Sequence, residues 1–157
     1  MTPEQRTVVL ALATALAVPC EGLRQYAYRD VTGLPTICMG ATRVFERGVE
    51  IGDYFSVAQC KELLTKEMLN VISAVDKCRP GLPPRVLAAF SDAAYNIGAT
   101  VACDTHKSTA ARKLKAGDYV GACNELPKWD KARVAGVLVS LPGLTKRREM
   151  ERELCLT

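Results

Sequence analysis

Residues 21–36 read Glu21-Gly-Leu-Arg-Gln-Tyr-Ala-Tyr-Arg-Asp30-Val-Thr-Gly-Leu-Pro-Thr36. Two carboxylates, of Glu21 and Asp30, and the hydroxyl of Thr36 therefore lie within one short segment. An apolar segment predicted to be helical leads into Glu21, whereas the turn-rich stretch after it is β-compatible. Acids carried on different elements can face each other across a cleft. Glycoside hydrolysis requires this arrangement, because one acid protonates the leaving oxygen while the other activates water.

Length and composition predict one globular domain, in which two lobes can share a core. The chain has 157 residues, an apolar fraction of 48% and a net charge of +4. Its basic residues become denser toward the C-terminus, where we expect a solvated surface and, as the alternative, attraction to a polyanion. No nucleic-acid motif accompanies them, so no nucleic-acid partner is expected. These residues are Lys128, Lys131, Arg133, Lys146, Arg147, Arg148 and Arg152.

The N-terminal segment combines a helix start with a short apolar run. Thr2 and Gln5 form a capping box around Pro3, and residues 7–18 carry no charge. A twelve-residue helix spans roughly 18 Å, which is short of the ~30 Å hydrocarbon core. The run is therefore a cleaved signal peptide, a core helix or a weak membrane anchor. The segment alone favours the core helix.

The rest of the chain predicts short strands followed by helices, and hence an α+β fold with a small sheet near the N-terminus. Residues 36–39 are β-compatible, and a second strand pair is expected between Val44 and Tyr54, with turns at Gly48 and Gly52. Ser56 and Gln59 form another capping box that opens a long helix to about Lys77, long enough to connect two lobes. Further helices are predicted over residues 85–97, 108–116, 118–126 and 144–154.

The seven cysteines, at positions 20, 38, 60, 78, 103, 123 and 155, favour export to an oxidising compartment. The chain has no Cys-x-x-Cys and a single histidine, so no metal site is expected. Pairing cannot be deduced from the sequence, and buried thiols are an alternative to disulfides. Cys123 with Cys155, Cys78 with Cys103, and Cys38 with Cys60 could pair. Cys20 would then be an inert thiol or, alternatively, would exchange partners beside Glu21.

The segment from Glu21 to Thr42 resembles the phage-type lysozymes, the endolysin family of muramidases. The family pattern of Glu, eight residues, Asp, five residues and Thr is met without a gap. The resemblance continues at residues 94–98, 121–129 and 143–156, and so covers nearly everything from Glu21 onward. Two positions depart from the family. Cys38 replaces a glycine and Ala41 replaces the usual histidine, which puts local stability in question more than activity.

This resemblance implies a single lysozyme domain over residues 1–157. It would comprise an N-terminal apolar helix (1–20), a catalytic β-rich lobe (21–56), and a connecting helix with a helical lobe (57–157). The implied reaction is inverting hydrolysis of the β-1,4 bond between N-acetylmuramic acid and N-acetylglucosamine, which causes host cell lysis. Glycan strands of peptidoglycan would be the partner, the protein would be a monomer, and no metal or organic cofactor is implied.

The same resemblance assigns roles to individual residues. Glu21 would be the general acid, Asp30 the base or electrostatic partner, and Thr36 would help to hold the attacking water. Thr42, Tyr95 and Asn96 would line the sugar groove. A lytic transglycosylase is the enzymatic alternative, although it does not need Asp30 and Thr36.

The N-terminus also resembles the signal-anchor-release endolysins, which reach the host periplasm through an uncleaved anchor that is later released. This resemblance favours transient inner-membrane association through residues 7–18. Once released, the helix would bury Val8, Leu10, Leu12 and Leu16 against the protein. A non-enzymatic, cationic membrane-active protein is the remaining alternative. It is suggested by the basic C-terminal helix and weakened by the interleaved Glu149, Glu151 and Glu153.

Overall fold

The structure is a computed structural model that describes residues 1–44 and 47–157, with the backbone but not the side chain of Glu21. Helices and short antiparallel strands follow one another in an α+β arrangement, as predicted. The elements are α1 (Pro3–Glu21), β1 (Arg24–Arg29), β2 (Pro35–Cys38), β3 (Arg43–Val44), β4 (Arg47–Gly48), α2 (Val57–Cys78), α3 (Pro84–Ile97), α4 (Thr100–Cys103), α5 (Thr109–Lys115), α6 (Tyr119–Cys123), a 3-10 turn (Leu126–Trp129), β5 (Lys131–Val134), β6 (Val137–Ser140) and α7 (Pro142–Leu156).

Helix α1 begins at the predicted capping box, in which Thr2 accepts from the Gln5 amide, and it packs against α3, α2 and α7. One face of the helix is buried, and it is formed by Val9, Ala13, Leu16 and Ala17. The expected burial is therefore confirmed for Leu16 and partial for Leu10 and Leu12. It is wrong for Val8, which is 50% exposed because the helical period turns Val9 inward instead. Among the described residues, no helix reaches the length and apolarity that a membrane crossing requires.

In chain order, the small sheet follows α1 and precedes α2. Strands β1 and β2 are antiparallel, with Tyr28 opposite Thr36. Strands β3 and β4 form a second, shorter pair. The predicted turn at Gly48 is wrong, because Gly48 lies in β4, whereas Gly52 does occupy a turn with a φ of 110°. Part of the predicted strand pair, residues 45 and 46, lies outside the described residues.

Helix α2 connects two hydrophobic cores. It begins at the predicted capping box of Ser56 and Gln59. Its Cys60 and Leu63 pack with the small sheet in a minor core, whereas its remaining buried residues join α1 and α3 in the major core. Helix α3 is buried along most of its length and forms the centre of the helical lobe.

A β hairpin formed by β5 and β6 interrupts the helical lobe, where the sequence analysis predicted helices on both sides but no strand. Its turn residues, Ala135 and Gly136, both have positive φ, at 48° and 83°. The β-branched residues that follow are exposed at the hairpin surface, with Val137 at 62%. Strand β5 alternates exposed and half-buried residues, but it is only four residues long, and β6 is exposed throughout, which explains why the hairpin was missed.

Three disulfides fix the fold, and they join the pairs that the sequence analysis considered: Cys38–Cys60, Cys78–Cys103 and Cys123–Cys155. The first ties β2 to α2, and therefore the small sheet to the connecting helix. Cys38 has a φ of 60°, a left-handed conformation that favours glycine. Cys20 lies outside these three disulfides, near the end of α1.

Candidate active site

A cavity of about 570 Å³ lies between the two lobes. The end of α1 borders it at Cys20, and the loop after β1 borders it at Asp30. The opposite wall consists of Asn96 at the end of α3, the first residues of β5, and the start of α7. Five elements from distant parts of the chain thus converge on the segment that the sequence analysis singled out.

The Asp30 carboxylate is held by its own loop. Its Oδ1 accepts from the Thr32 amide at 2.8 Å, the Thr32 hydroxyl at 2.7 Å and the Leu34 amide at 2.9 Å. The turn is possible because Gly33 adopts a φ of 86°, with its amide donating to the Asp30 carbonyl at 2.9 Å. With three donors on one oxygen, the carboxylate has a fixed orientation at the edge of the cavity.

Thr36 lies behind this loop on β2 and is only 3% exposed. Its hydroxyl donates to the Leu34 carbonyl at 3.0 Å. The backbone of Leu34 therefore contacts both predicted site residues, since its amide bonds Asp30 and its carbonyl accepts from Thr36. The hydroxyl proton of Thr36 is engaged in this bond, so any water it contacts would donate to the hydroxyl oxygen.

Glu21 is the last residue of α1, and Gly22 follows it with a φ of 64°, which ends the helix. The side chain of Glu21 lies outside the described part of the structure, as stated above. Its backbone neighbour Cys20 lines the same cavity as Asp30. The predicted acid and the predicted base are thus carried by elements that border one cavity.

Thr42 and Tyr95 border a different cavity, of about 280 Å³, between the small sheet and α2. The Tyr95 hydroxyl donates to the Met39 carbonyl at 3.0 Å and lies 3.4 Å from Glu67 Oε2. Burial raises the pKa of Glu67, and the Tyr95 hydroxyl partly opposes this rise. The predicted sugar-groove residues therefore fall into two cavities, with Thr42 and Tyr95 in the smaller one and Asn96 in the larger one.

A buried charge network lies behind the helical wall. Arg147 donates to both oxygens of Asp92, at 2.9 and 2.8 Å, and also borders the larger cavity. Arg148 donates to Glu151 at 2.5 Å and to Asn96 Oδ1 at 3.1 Å.

The expectation of a solvated basic surface is wrong for Arg147 and Arg148, which are 2% and 0% exposed. The helical spacing of Arg148, Glu151 and Cys155 was the signal for a buried face, and it was missed.

Burial also raises the pKa of Glu151 well above its ordinary value. Arg148 opposes this rise, whereas the nearby Asp92 adds to it. Among residues 1–44 and 47–157, no group of three or more His, Cys, Asp or Glu side chains is arranged to hold a metal ion.

Two lobes around a connecting helix, with carboxylate-bearing elements at the cavity between them, define a lysozyme-like fold. The sequence model of the phage lysozyme family matches residues 18–151, and the chain belongs to that family. Membership makes it a peptidoglycan-cleaving enzyme. The SAR-endolysin of Pseudomonas phage phiKMV is 34% identical over 157 residues, which is 99% of this chain and 93% of that protein. The SAR-endolysin of Bacteriophage PS119 is 34% identical over 137 residues, or 87% of this chain and 76% of that protein.

Solved structures agree with this assignment. The endolysin of Escherichia coli O157:H7 phage FAHEc1 superposes with a TM-score of 0.76 at 28% identity, over 99% of this chain and 92% of that one. The active form of the P1 phage endolysin Lyz gives 0.74 at 25% identity, over 97% and 91%. The secreted inactive form of the same endolysin gives 0.52 at 27% identity, over only 69% and 74%.

Proposed function

We propose that this chain is an endolysin that hydrolyses the β-1,4 bond between N-acetylmuramic acid and N-acetylglucosamine, with inversion at the anomeric carbon. The observation that carries the proposal is the cavity that Asp30 shares with Cys20 at the end of α1, the helix whose last residue is Glu21. Glu21 protonates the glycosidic oxygen as the bond to the anomeric carbon breaks. Asp30 accepts a proton from the water that attacks the opposite face of the sugar.

Thr36 supports this reaction from behind the loop. Its hydroxyl oxygen accepts from the attacking water, and its bond to Leu34 holds it beside the backbone that orients Asp30. Inversion needs room for that water, roughly 6.5–9.5 Å between the two carboxyl groups. Thr42, Tyr95 and Asn96 line the path of the glycan along the two cavities.

Two alternatives predict different behaviour. A lytic transglycosylase would use one acid and would form an anhydro sugar without water. A cationic membrane-active protein would need its basic C-terminal helix to face solvent. Arg147 and Arg148 do not, because both are buried and paired with Asp92 and Glu151. Hydrolysis is thus the best supported of the three functions.

Digestion of purified peptidoglycan tests the proposal. The wild type should release fragments with a reducing end, each heavier by one water than the anhydro product of a transglycosylase. Glu21→Gln and Asp30→Asn should each reduce turnover by at least a hundredfold, since each removes a proton-transfer group. Glu4→Gln, at an exposed position of α1, is the matched control and should keep full activity. Anhydro products, or turnover retained by Glu21→Gln, would overturn the proposal.

We further propose that residues 7–18 anchor the chain transiently in the inner membrane, so that it acts in the host periplasm after release. Two observations support this route. Helix α1 is docked on the body with one apolar face buried, and the fold is closer to the active than to the inactive form of the P1 endolysin. Fractionation of expressing cells tests it. The membrane fraction should hold inactive chains that gain activity on release, whereas full activity in that fraction would contradict the switch.

A further inference from the structure

The amide of Asn96 has its orientation set from inside the protein. Asn96 is half-buried at the end of α3 and borders the cavity that holds Asp30. Its Oδ1 accepts from Nη2 of Arg148 at 3.1 Å. A guanidinium has five N–H donors and no acceptor, so the amide must turn its oxygen toward Arg148. Its NH₂ group, with two donors, then points away from Arg148.

Burying the Arg148 guanidinium beside Asn96 costs free energy. It is fully buried, and burial lowers the pKa of its guanidinium. Among the described residues, its Nε and Nη1 have no hydrogen-bond partner, because Nη2 makes the bonds to both Glu151 and Asn96. A well-packed apolar side chain would stabilise the same position at least as well as a buried ion pair with unmet donors. The arginine therefore indicates a role beyond stability.

The neighbouring arginine differs in this respect. Arg147 makes a two-bond ion pair with Asp92, which links α7 to α3. Arg148 pairs with Glu151 within α7, and Glu151 also lies 3.6 Å from Nε of Arg147. Arg148 reaches α3 through the charge of Asp92 and through its hydrogen bond to Asn96. That hydrogen bond sets the orientation of one amide at the cavity.

We propose that Arg148 is a positioning residue that fixes Asn96 as a hydrogen-bond donor to the acetamido carbonyl oxygen of an N-acetylated sugar. The proposal rests on the glycan-cleaving function proposed above. A carbonyl oxygen can only accept, whereas a sugar hydroxyl can either donate or accept. A fixed NH₂ group therefore distinguishes an acetylated sugar, which offers this acceptor, from a deacetylated one, which offers an ammonium that can only donate.

Substrate acetylation tests the role of Asn96. Soluble glycan fragments are compared as isolated, after chemical N-deacetylation, and after re-acetylation. For the wild type, KM should rise about tenfold on deacetylation and return on re-acetylation, as expected for one lost hydrogen bond with its donor left unmet. Asn96→Asp keeps the oxygen for Arg148 but loses both donors, and Asn96→Leu loses both without adding charge. In both variants the KM ratio between deacetylated and acetylated glycan should fall to about one or below.

To test the role of Arg148, the substituted protein must still fold. Arg148→Met combined with Glu151→Met removes the local ion pair without leaving a buried charge. It should raise KM on acetylated glycan about threefold to tenfold and weaken the acetyl preference, with kcat and thermal unfolding nearly unchanged. Arg148→Lys, which can still donate, should restore part of the preference.

The pair Arg152 and Asn124 has the same bond, at 2.8 Å, on the exposed side of α7. Arg152→Met and Asn124→Asp are thus matched controls and should leave KM unchanged.

The outcomes separate this inference from the proposed function. No glycan cleavage by the wild type would refute the function itself. Cleavage with an acetyl preference that Asn96→Asp and Asn96→Leu leave intact would overturn only the donor role of Asn96. A preference lost in the Asn96 variants but retained in the Arg148→Met, Glu151→Met protein would overturn the positioning role of Arg148.

Discussion

The two walls of the larger cavity are stabilised in different ways. On the sheet side, the loop from Asp30 to Thr36 is held by short-range hydrogen bonds between residues at most four apart in sequence. On the helical side, Asp92 and Arg147 are 55 residues apart and form a fully buried ion pair between α3 and α7. The hydrogen bonds of the sheet-side wall thus join mostly half-exposed residues that are close in sequence, whereas the ion pair of the helix-side wall joins buried residues that are far apart in sequence.

This difference determines how each wall responds to change. Loss of one bond in the loop leaves polar atoms that water can reach, so the penalty is small. Loss of one partner in the buried pair removes the two-bond counterpart of a charge that lies away from water, so the penalty is large. We therefore expect substitutions in the helical wall to act mainly on stability. Substitutions in the sheet wall should act mainly on the geometry of Asp30, and hence on activity.

Asp92→Ala is expected to have the largest effect on stability. It leaves Arg147 buried without its two-bond partner and should lower the free energy of unfolding by about 3–5 kcal/mol. Denaturant unfolding measures the loss. The double variant Asp92→Leu, Arg147→Met should recover most of it, because it removes both charges. Recovery in the double variant no better than in the single one would show that the charge is not the cause.

The same contrast explains what the sequence could predict. The Glu21–Thr36 segment was recognisable because its spacing and turn residues act locally. The capping boxes of α1 and α2 were found for the same reason. The buried position of Arg147 and Arg148 was not predicted, because their partners lie on another helix and charged residues usually face solvent. Long-range pairing has no local pattern. The β5–β6 hairpin pairs residues close in sequence, and it was missed because each strand has only four residues and those of β6 are all exposed.

The Cys38–Cys60 disulfide is the next test, since it ties the sheet wall to α2 across a sequence separation of 22. Replacing both cysteines by alanine should cost about 3 kcal/mol, because the unfolded chain is no longer constrained. Cys38 has a left-handed φ of 60°, so Cys38→Gly with Cys60→Ala should lose about 1 kcal/mol less. Chemical denaturation of both double variants measures the difference. Equal losses would show that the backbone at residue 38 carries no strain in the absence of the bridge.

Gly33→Ala tests the loop itself. Gly33 has a φ of 86° with open space around it, so an added Cβ meets no atom but strains the turn by about 1 kcal/mol. Because the turn orients Asp30, kcat should fall several-fold, more than so small a stability loss would explain. Gly48→Ala, at a position without a positive φ, with equally open space and outside both cavities, is the matched control for both measurements. A fall in stability with unchanged kcat would mean that the loop does not set the position of the carboxylate.

The smallest effect concerns Glu67, which lines the smaller cavity and lies near the Tyr95 hydroxyl. Burial raises the pKa of Glu67 in the folded protein. Between the unfolded pKa of about 4.3 and the higher folded pKa, the native state therefore retains a proton that the unfolded state has released. The stability contributed by this group is thus complete below the unfolded pKa and is lost as pH rises through the folded one. Glu67→Gln cannot titrate, so its stability relative to the wild type should increase with pH across that window and level off above it. Denaturant unfolding from pH 4 to pH 7 measures the difference, and Asn70→Gln, a neutral change in the same cavity, should run parallel to the wild type. A Glu67→Gln profile that also runs parallel to the wild type would show that the titration of Glu67 does not change the free energy of unfolding.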